Sequence, residues 1–267
     1  QACRRYLISR QVNRVRDYDV FARFYDLDTE GHEEDLDFWL SLARRTGGPI
    51  LELACGTGRV MLPLAEQGFS VVGVDISPEM LAIARAKLGA AAVLDRTEII
   101  QGDVLTLNLK RQFPLVFVAL NSFGHFNEPG EPERALERIH AHLKPGGILA
   151  LDLPNPVPGA FGDTSGLLIH DYTREGPEPG WRTVKLRSQV LAPVDQEVDV
   201  SLLYDEVGPT GEVRRTLASF VLRYFYRNEL RLLVERAGLA VEEFYGGYDL
   251  QPLTEDSDRL ILLARRS

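Results

Sequence analysis

The segment Pro49-Ile50-Leu51-Glu52-Leu53-Ala54-Cys55-Gly56-Thr57-Gly58-Arg59 carries an apolar run into an acid and then into a tight glycine turn. The turn opens onto a helix-like stretch, Val60 to Glu66. Glycine has no Cβ, so a strand–glycine turn–helix unit lets a ligand come close to the backbone. Seventeen residues past Gly58, a second apolar run, Ser70 to Val74, ends in Asp75. That spacing puts a carboxylate at the tip of the neighbouring parallel strand, where it can hold two ribose hydroxyls. The unit reads as a site for a nucleoside-containing cofactor.

The residue types narrow the cofactor. A dinucleotide turn needs a third glycine where Met61 stands. A phosphate-cradling loop needs a lysine, and Gly56 to Pro63 has none. Glu52, four residues before Gly56, would repel a phosphate and suits a cationic ligand. S-adenosylmethionine (SAM) has an ammonium, a sulfonium and a ribose, and no phosphate. Glu52 near the ammonium and Asp75 on the ribose match it.

At these positions the chain resembles the class I SAM-dependent methyltransferases. The resemblance rests on Glu52–Gly58, on Gly73-Val74-Asp75-Ile76-Ser77 with the helix Pro78 to Arg85, and on Gln101-Gly102-Asp103-Val104. It covers roughly Asp17 to Leu153. The whole chain is similar, more loosely, to the small-molecule branch that holds the antibiotic-sugar N-methyltransferases. One departure is Ala54-Cys55, where many members have glycine. The resemblance implies a doubly wound, seven-stranded, mostly parallel α/β sheet of Rossmann-like type whose last strand is antiparallel. It also implies an antiparallel sheet inserted before the last helix. It implies SAM as cofactor and S-adenosylhomocysteine as product. The cofactor-binding residues it points to are Tyr18, Tyr25, Glu52, Ala54, Gly56, Gly58, Asp75, Ile76, Met80, Asp103, Val104, Leu120 and Asn121. In it Asp103 faces the adenine amino group, and the Tyr25-Asp26 segment closes over the methionine end.

Methyl transfer from a sulfonium is an in-line displacement, so the protein mainly aligns the partners and keeps the pocket dry. A fixed catalytic base is therefore not required. The fourth strand runs into Ala119-Leu120-Asn121-Ser122-Phe123-Gly124-His125-Phe126, a loop expected beside the transferring methyl. His125 is the titratable ring of that loop and stands alone there. It is the one candidate base, or else a polar lining residue. Asp152 and Asn155 could suggest a metal, but two oxygens at one strand end are weak grounds, and no metal is expected. Asp103 could also simply cap a turn, and Tyr18 and Tyr25, seven apart on one helix side, could be core aromatics. His32-Glu33-Glu34-Asp35 reads as a solvated helix start. Tyr248 and Asp249 could contact substrate or only pack their loop.

These residues need elements to hold them. Helical spacing covers Val15–Asp26 and Glu33–Arg45. Strands follow at Ile50–Leu53, Ser70–Val74, Glu98–Gln101, Leu115–Leu120 and Ile148–Leu153. Helices lie between them at Val60–Glu66, Pro78–Lys87 and Glu131–His142, the second capped by Ser77 and the third stopped by Lys144-Pro145-Gly146-Gly147. Alternating βα units imply a parallel sheet covered on both faces. Pro154, Pro156 and Pro158 mark a connection. Then Leu167–Thr173, Thr183–Leu191, Glu197–Glu206 and Val213–Tyr226 alternate apolar and charged residues, with turns at Pro177–Gly180 and Gly208–Gly211. They read as an antiparallel meander with one wet face. Asn228 caps a helix, Glu229–Arg236, and strands Ala240–Tyr245 and Arg259–Ala264 close the chain. Residues 1–46 are expected to close over the cofactor, 47–156 and 227–267 to form the core, and 157–226 to form a lid or an oligomer contact.

The chain has 267 residues, 45% of them hydrophobic, enough for one α/β core with an embellishment. Its net charge of −9, with arginines interleaved among acids, argues against a nucleic-acid partner. Cys3 and Cys55 make no disulfide framework. No apolar run reaches the roughly 18 residues of a membrane helix, and Gln1–Arg10 lacks a signal-peptide core. A cytoplasmic enzyme that transfers a methyl group to N or O of a small-molecule acceptor is expected, with a homodimer allowed. Two other readings stay open: a SAM-binding sensor or scaffold without transferase activity, and a nicotinamide-dependent oxidoreductase, which Met61 and Glu52 disfavour.

Overall fold

The computed structural model describes residues 14–156, 165–176 and 178–267, with the backbone alone at 14–17. Cys3, Pro158 and Pro177 lie outside the described residues.

Helices α1 (Arg14–Asp28) and α2 (Leu36–Thr46) come first. The core then alternates β1 (Ile50–Leu53), α3 (Met61–Glu66), β2 (Val71–Asp75), α4 (Pro78–Ala90), β3 (Thr97–Gln101), β4 (Phe113–Val118), α5 (Glu131–His142) and β5 (Leu143–Pro154). Strands β6 (Leu168–Glu175), β7 (Arg182–Ala192), β8 (Glu197–Val207) and β9 (Val213–Arg223) form a separate antiparallel sheet. Helix α6 (Arg227–Arg236) and strands β10 (Leu239–Tyr245) and β11 (Arg259–Arg266) complete the chain.

The large sheet has the order β10-β11-β5-β4-β1-β2-β3, with only β11 antiparallel to its neighbours. Strands β1 and β2 are buried at every position, as expected of parallel strands covered on both faces. Their alternate side chains feed two cores. Leu51, Leu53, Val72 and Val74 face α5 and α6, while Ile50, Val71, Leu115 and Phe117 face α2 and α3. Chain order reverses between β1 and β4, and that switch point opens a crevice at the carboxyl ends of the strands.

The inserted sheet closes the crevice together with α1. Along β8, Val198, Val200, Leu202 and Tyr204 point inward and pack on Phe21 and Phe24 of α1 and Met80 of α4. The Tyr204 and Phe24 rings stack with centroids 4.3 Å apart. By contrast, α2 packs onto the main sheet, where Trp39 stacks on Phe117 at 4.5 Å.

Several local expectations change. Asp35 is not solvated. It is fully buried, bonded to the Arg59 guanidinium at 2.5 and 2.7 Å and to Trp39 Nε1 at 2.8 Å. An arginine reaching back from the glycine turn supplied what the local sequence could not show. Lys144–Gly147 does not separate α5 from β5 but lies inside β5, where the register with β4 shifts between Phe113 and Leu115. Asn228 does not cap α6. The helix starts two residues earlier, at Arg227 after Tyr226, with no side-chain cap.

Candidate active site

The glycine turn is built from left-handed backbone. Ala54, Gly56 and Gly58 have φ of 55°, 53° and 74°. Glycine takes such angles freely, whereas Ala54 adopts them at a steric cost. Around this turn Gly56 N–H donates to Asp75 Oδ2 at 2.8 Å, and Ser77 N–H donates to Asp75 Oδ1 at 2.9 Å. The β2 tip is thereby locked to the β1 turn. Burial pushes the Asp75 carboxyl up, and the backbone donors at Ser77 and Gly56 pull it back. Ser77 caps α4, accepting from Met80 N–H at 3.1 Å. Gly58 faces helix α4: a Cβ there would sit 3.3 Å from the Ala84 methyl.

A cavity of about 330 Å³ lies over these tips. Tyr18 and Tyr25 line it from α1, Ala54 and Gly56 from the turn after β1, Asp75 and Ile76 from the β2 tip, and Met80 from α4. Asp103 and Val104 line it beyond β3, and Leu120 and Asn121 beyond β4, next to His125. Glu52 of β1 and Gly58 of the turn do not line it. Asp103 also caps the short turn that follows it, accepting from Leu105 N–H at 2.9 Å. Leu120 and Asn121 are both left-handed, with φ of 47° and 62°. Asp152 holds them there: its Oδ2 accepts from Leu120 N–H and its backbone carbonyl from Asn121 N–H, both at 2.9 Å. Tyr248 and Arg259 donate to the same Asp152 carboxylate. Asp152 is thus a loop anchor, and Tyr248 packs its own loop rather than lining the cavity. Among the described residues no cluster could hold a metal.

The cavity roof comes from α1 and the inserted sheet. His125 does not stand alone: the Tyr18 hydroxyl, 107 residues away, is hydrogen-bonded to its Nε2. Phe220 of β9 lies against both rings, 5.8 Å from Tyr18 and 5.5 Å from His125. At the other end of α1, Asp28 accepts from Tyr172 and Tyr204 hydroxyls at 2.6 Å each and pairs with Lys185 at 2.9 Å. Lys185, Arg187 and Gln189 of β7 also line the cavity. Their alternation suggests a wet face, yet that face turns inward over the cleft.

A family profile described as a methyltransferase domain matches residues 50–147. The dTDP-3-amino-3,6-dideoxy-alpha-D-glucopyranose N,N-dimethyltransferase of Streptomyces fradiae is 30% identical, over 85% of this chain and 86% of that one. The chain belongs to the SAM-dependent methyltransferases. The cypemycin N-terminal methyltransferase of a Streptomyces species is also 30% identical to this methyltransferase, over 85% and 87% of the two chains. The solved CcbJ methyltransferase from Streptomyces caelestis superposes with a TM-score of 0.77 at 26% identity, covering 93% and 97%.

The methyltransferase's own residues fit the cofactor. A carboxylate at the β2 tip lines the cavity, with no lysine or arginine among the described residues to claim it. Two buried acceptor atoms, Glu52 Oε2 and Asn121 Oδ1, have no hydrogen-bond partner among the described residues. Of the two, Asn121 lines the cavity, so its buried acceptor calls for a donor that an ammonium-bearing ligand would bring. Burial pushes Glu52 up to about 8, Arg59 opposing and Asp35 and Asp75 adding. The same enclosure pushes the Tyr25 hydroxyl up, so it stays protonated as a donor. Sequence reasoning missed Asp28, Arg187, Gln189 and Phe220. Only tertiary pairing brings them to the site, and the alternation in β7 was the one signal for Arg187 and Gln189.

Proposed function

We propose that this methyltransferase moves the methyl of SAM to the amine of a small, oxygen-bearing acceptor such as an amino sugar. The observation that carries the reading is the Tyr18–His125 pair at the carboxyl edge, enclosed by Phe220 under the inserted sheet. An amine arrives as an ammonium near neutral pH and must lose a proton before its lone pair can attack. A hydroxyl–imidazole pair is suited to take that proton, and a hydroxyl acceptor would need a stronger base. Two relatives that match most of the chain are named for transfer to an amino sugar and to a peptide N-terminus, both amines.

In this reading Asp75 takes the ribose hydroxyls, Asp103 the adenine amino group, and Glu52 sits below the ammonium end. Tyr25 closes over the glycine turn. When bound, SAM supplies an electrophilic methyl on a sulfonium with a neutral thioether as leaving group. The acceptor nitrogen's lone pair forms the C–N bond while the C–S electron pair returns to sulfur. The proton shed by the ammonium passes to the Tyr18–His125 pair. Helix α1 and the inserted sheet exclude water and hold the in-line angle, which supplies most of the acceleration.

Turnover on a matched pair tests the reading: a 3-amino-3-deoxyhexoside and its 3-hydroxy parent, each with SAM. Methylation of the amine and not of the parent is expected. Preferential methylation of the hydroxyl would refute the assignment.

A further inference from the structure

The amine site leaves one wall of the cavity without a task. Lys185, Arg187 and Gln189 occupy alternate positions of β7, so they share the inner face of the inserted sheet. Lys185 is committed to Asp28. Arg187 is half committed: its Nε donates to both oxygens of Asp171 at 3.1 Å. Asp171 reaches that face because the β6–β7 register shifts between His170 and Tyr172, and a bulge of this kind re-aims a side chain. The terminal amino groups of Arg187 and the carboxamide of Gln189 make no hydrogen bond to other described residues. Donors lining a half-enclosed cavity are available to a ligand.

Register sets the distance to the reacting end. Gln189 pairs with Val200, and Val200 pairs with Phe220. Neighbouring strands lie about 4.8 Å apart, so the Gln189 and Phe220 backbones are about 10 Å apart, and the His125 ring lies against Phe220. The wall between them is apolar, formed by Val200 and Leu202. An acceptor that reaches from one end to the other meets a proton-accepting pair, an apolar stretch and then two donors. The lysine and arginine are matched by Asp28 and Asp171, so the far end offers hydrogen-bond donors more than net charge.

We propose that Arg187 and Gln189 are specificity-determining residues that hold the acceptor by hydrogen-bond-accepting oxygens, hydroxyl or oxyanion, about 10 Å from the methylated nitrogen. The proposal rests on the N-methylation reading. Arg187 is oriented by Asp171, which occupies Nε and leaves the two terminal nitrogens for the ligand.

The test uses wild type, Gln189→Leu, Arg187→Met and Arg187→Lys at saturating SAM. Three amines are compared: methyl 3-amino-3-deoxyglucoside, the same amino sugar carrying a nucleoside diphosphate, and cyclohexylamine. Gln189→Leu and Arg187→Met should raise KM for both sugars about 10- to 100-fold, with kcat within about threefold. Cyclohexylamine kcat/KM should not change, and Arg187→Lys should recover part of the loss. Equal losses on the two sugars assign the contact to hydroxyls, and a larger loss on the diphosphate assigns it to an oxyanion. Equal losses on all three amines, or no change in KM, would overturn the proposal and leave Arg187 as a prop for Asp171. Wild-type protein that turns over no amine would instead defeat the N-methylation reading. Calorimetric titration of the S-adenosylhomocysteine complex with the same sugars then decides. Binding lost in Gln189→Leu at an unchanged melting temperature supports the proposal, and unaffected binding overturns it.

Discussion

Glu52→Gln should make the protein's stability less sensitive to alkali. Glu52 is 3% exposed, and its Oε2 has no hydrogen-bond partner among the described residues. Burial lifts its carboxyl from 4.5 to about 8. Because the folded-state value lies above the unfolded one, the folded protein holds a proton that the unfolded chain has lost throughout that window. Stability from this group is therefore lost as pH rises from about 4.5 to about 8, at up to about 1.36 kcal/mol per pH unit, and levels off above. The full span approaches about 5 kcal/mol, and relaxation around the buried charge reduces it to about 2–5 kcal/mol. Glutamine keeps the shape and the neutral form, so it removes the dependence. Urea unfolding of both proteins without cofactor, at pH 5.5 and pH 8.5, reads the difference directly. The variant should gain on wild type by at least about 2 kcal/mol between the two pH values. A parallel pH response in the two proteins would show that Glu52 is already ionised at pH 5.5, and the argument from burial would fail.

Asp75→Ala should weaken S-adenosylhomocysteine binding by about 1.5–3 kcal/mol by calorimetry, since it removes charge-assisted bonds to the ribose. NAD should not bind either protein. His125→Ala and Tyr18→Phe should each lower kcat by less than about 10²-fold, and the double variant should lose little more, because the two act as one pair. Tyr25→Ala should cost more than either, measured as kcat/KM, because it opens the roof above the glycine turn. Asp28→Ala frees Tyr172, Tyr204 and Lys185 together. It should destabilise by about 3 kcal/mol and speed amide exchange in β7 and β8 before the main sheet. Ala54→Gly relieves a left-handed alanine and should stabilise by up to about 1 kcal/mol in thermal unfolding.

The floor of the cavity was legible in the sequence because its residues sit at strand tips. A strand ending in Asp75, a glycine turn before it and a Gly102-Asp103 step after it are local signals, and parallel topology brings all three tips together. The meander was legible for a similar reason: period-two alternation with turn residues between runs. What it faces was not. Alternation gives two faces, and only packing against α1 decides that Lys185 and Arg187 look into a cavity rather than into water. Long-range pairing was equally hidden. Tyr18 with His125, and Asp35 with Arg59, each join groups that have separate, ordinary local explanations. Asp152 was ambiguous for the opposite reason. An acid at a strand end suggests a ligand site, yet its lone pairs serve the left-handed Leu120-Asn121 step.

The account's central claim is that one cleft, floored by the strand tips and roofed by α1 and the inserted sheet, holds cofactor and amine together. A crystal structure with S-adenosylhomocysteine and methyl 3-amino-3-deoxyglucoside tests this most directly. The account predicts the ribose on Asp75 and the amine within hydrogen-bond reach of the Tyr18–His125 pair, facing the cofactor sulfur. An amino sugar bound outside the roof, or an amine turned away from the sulfur with its hydroxyls at Tyr18 and His125, would contradict it.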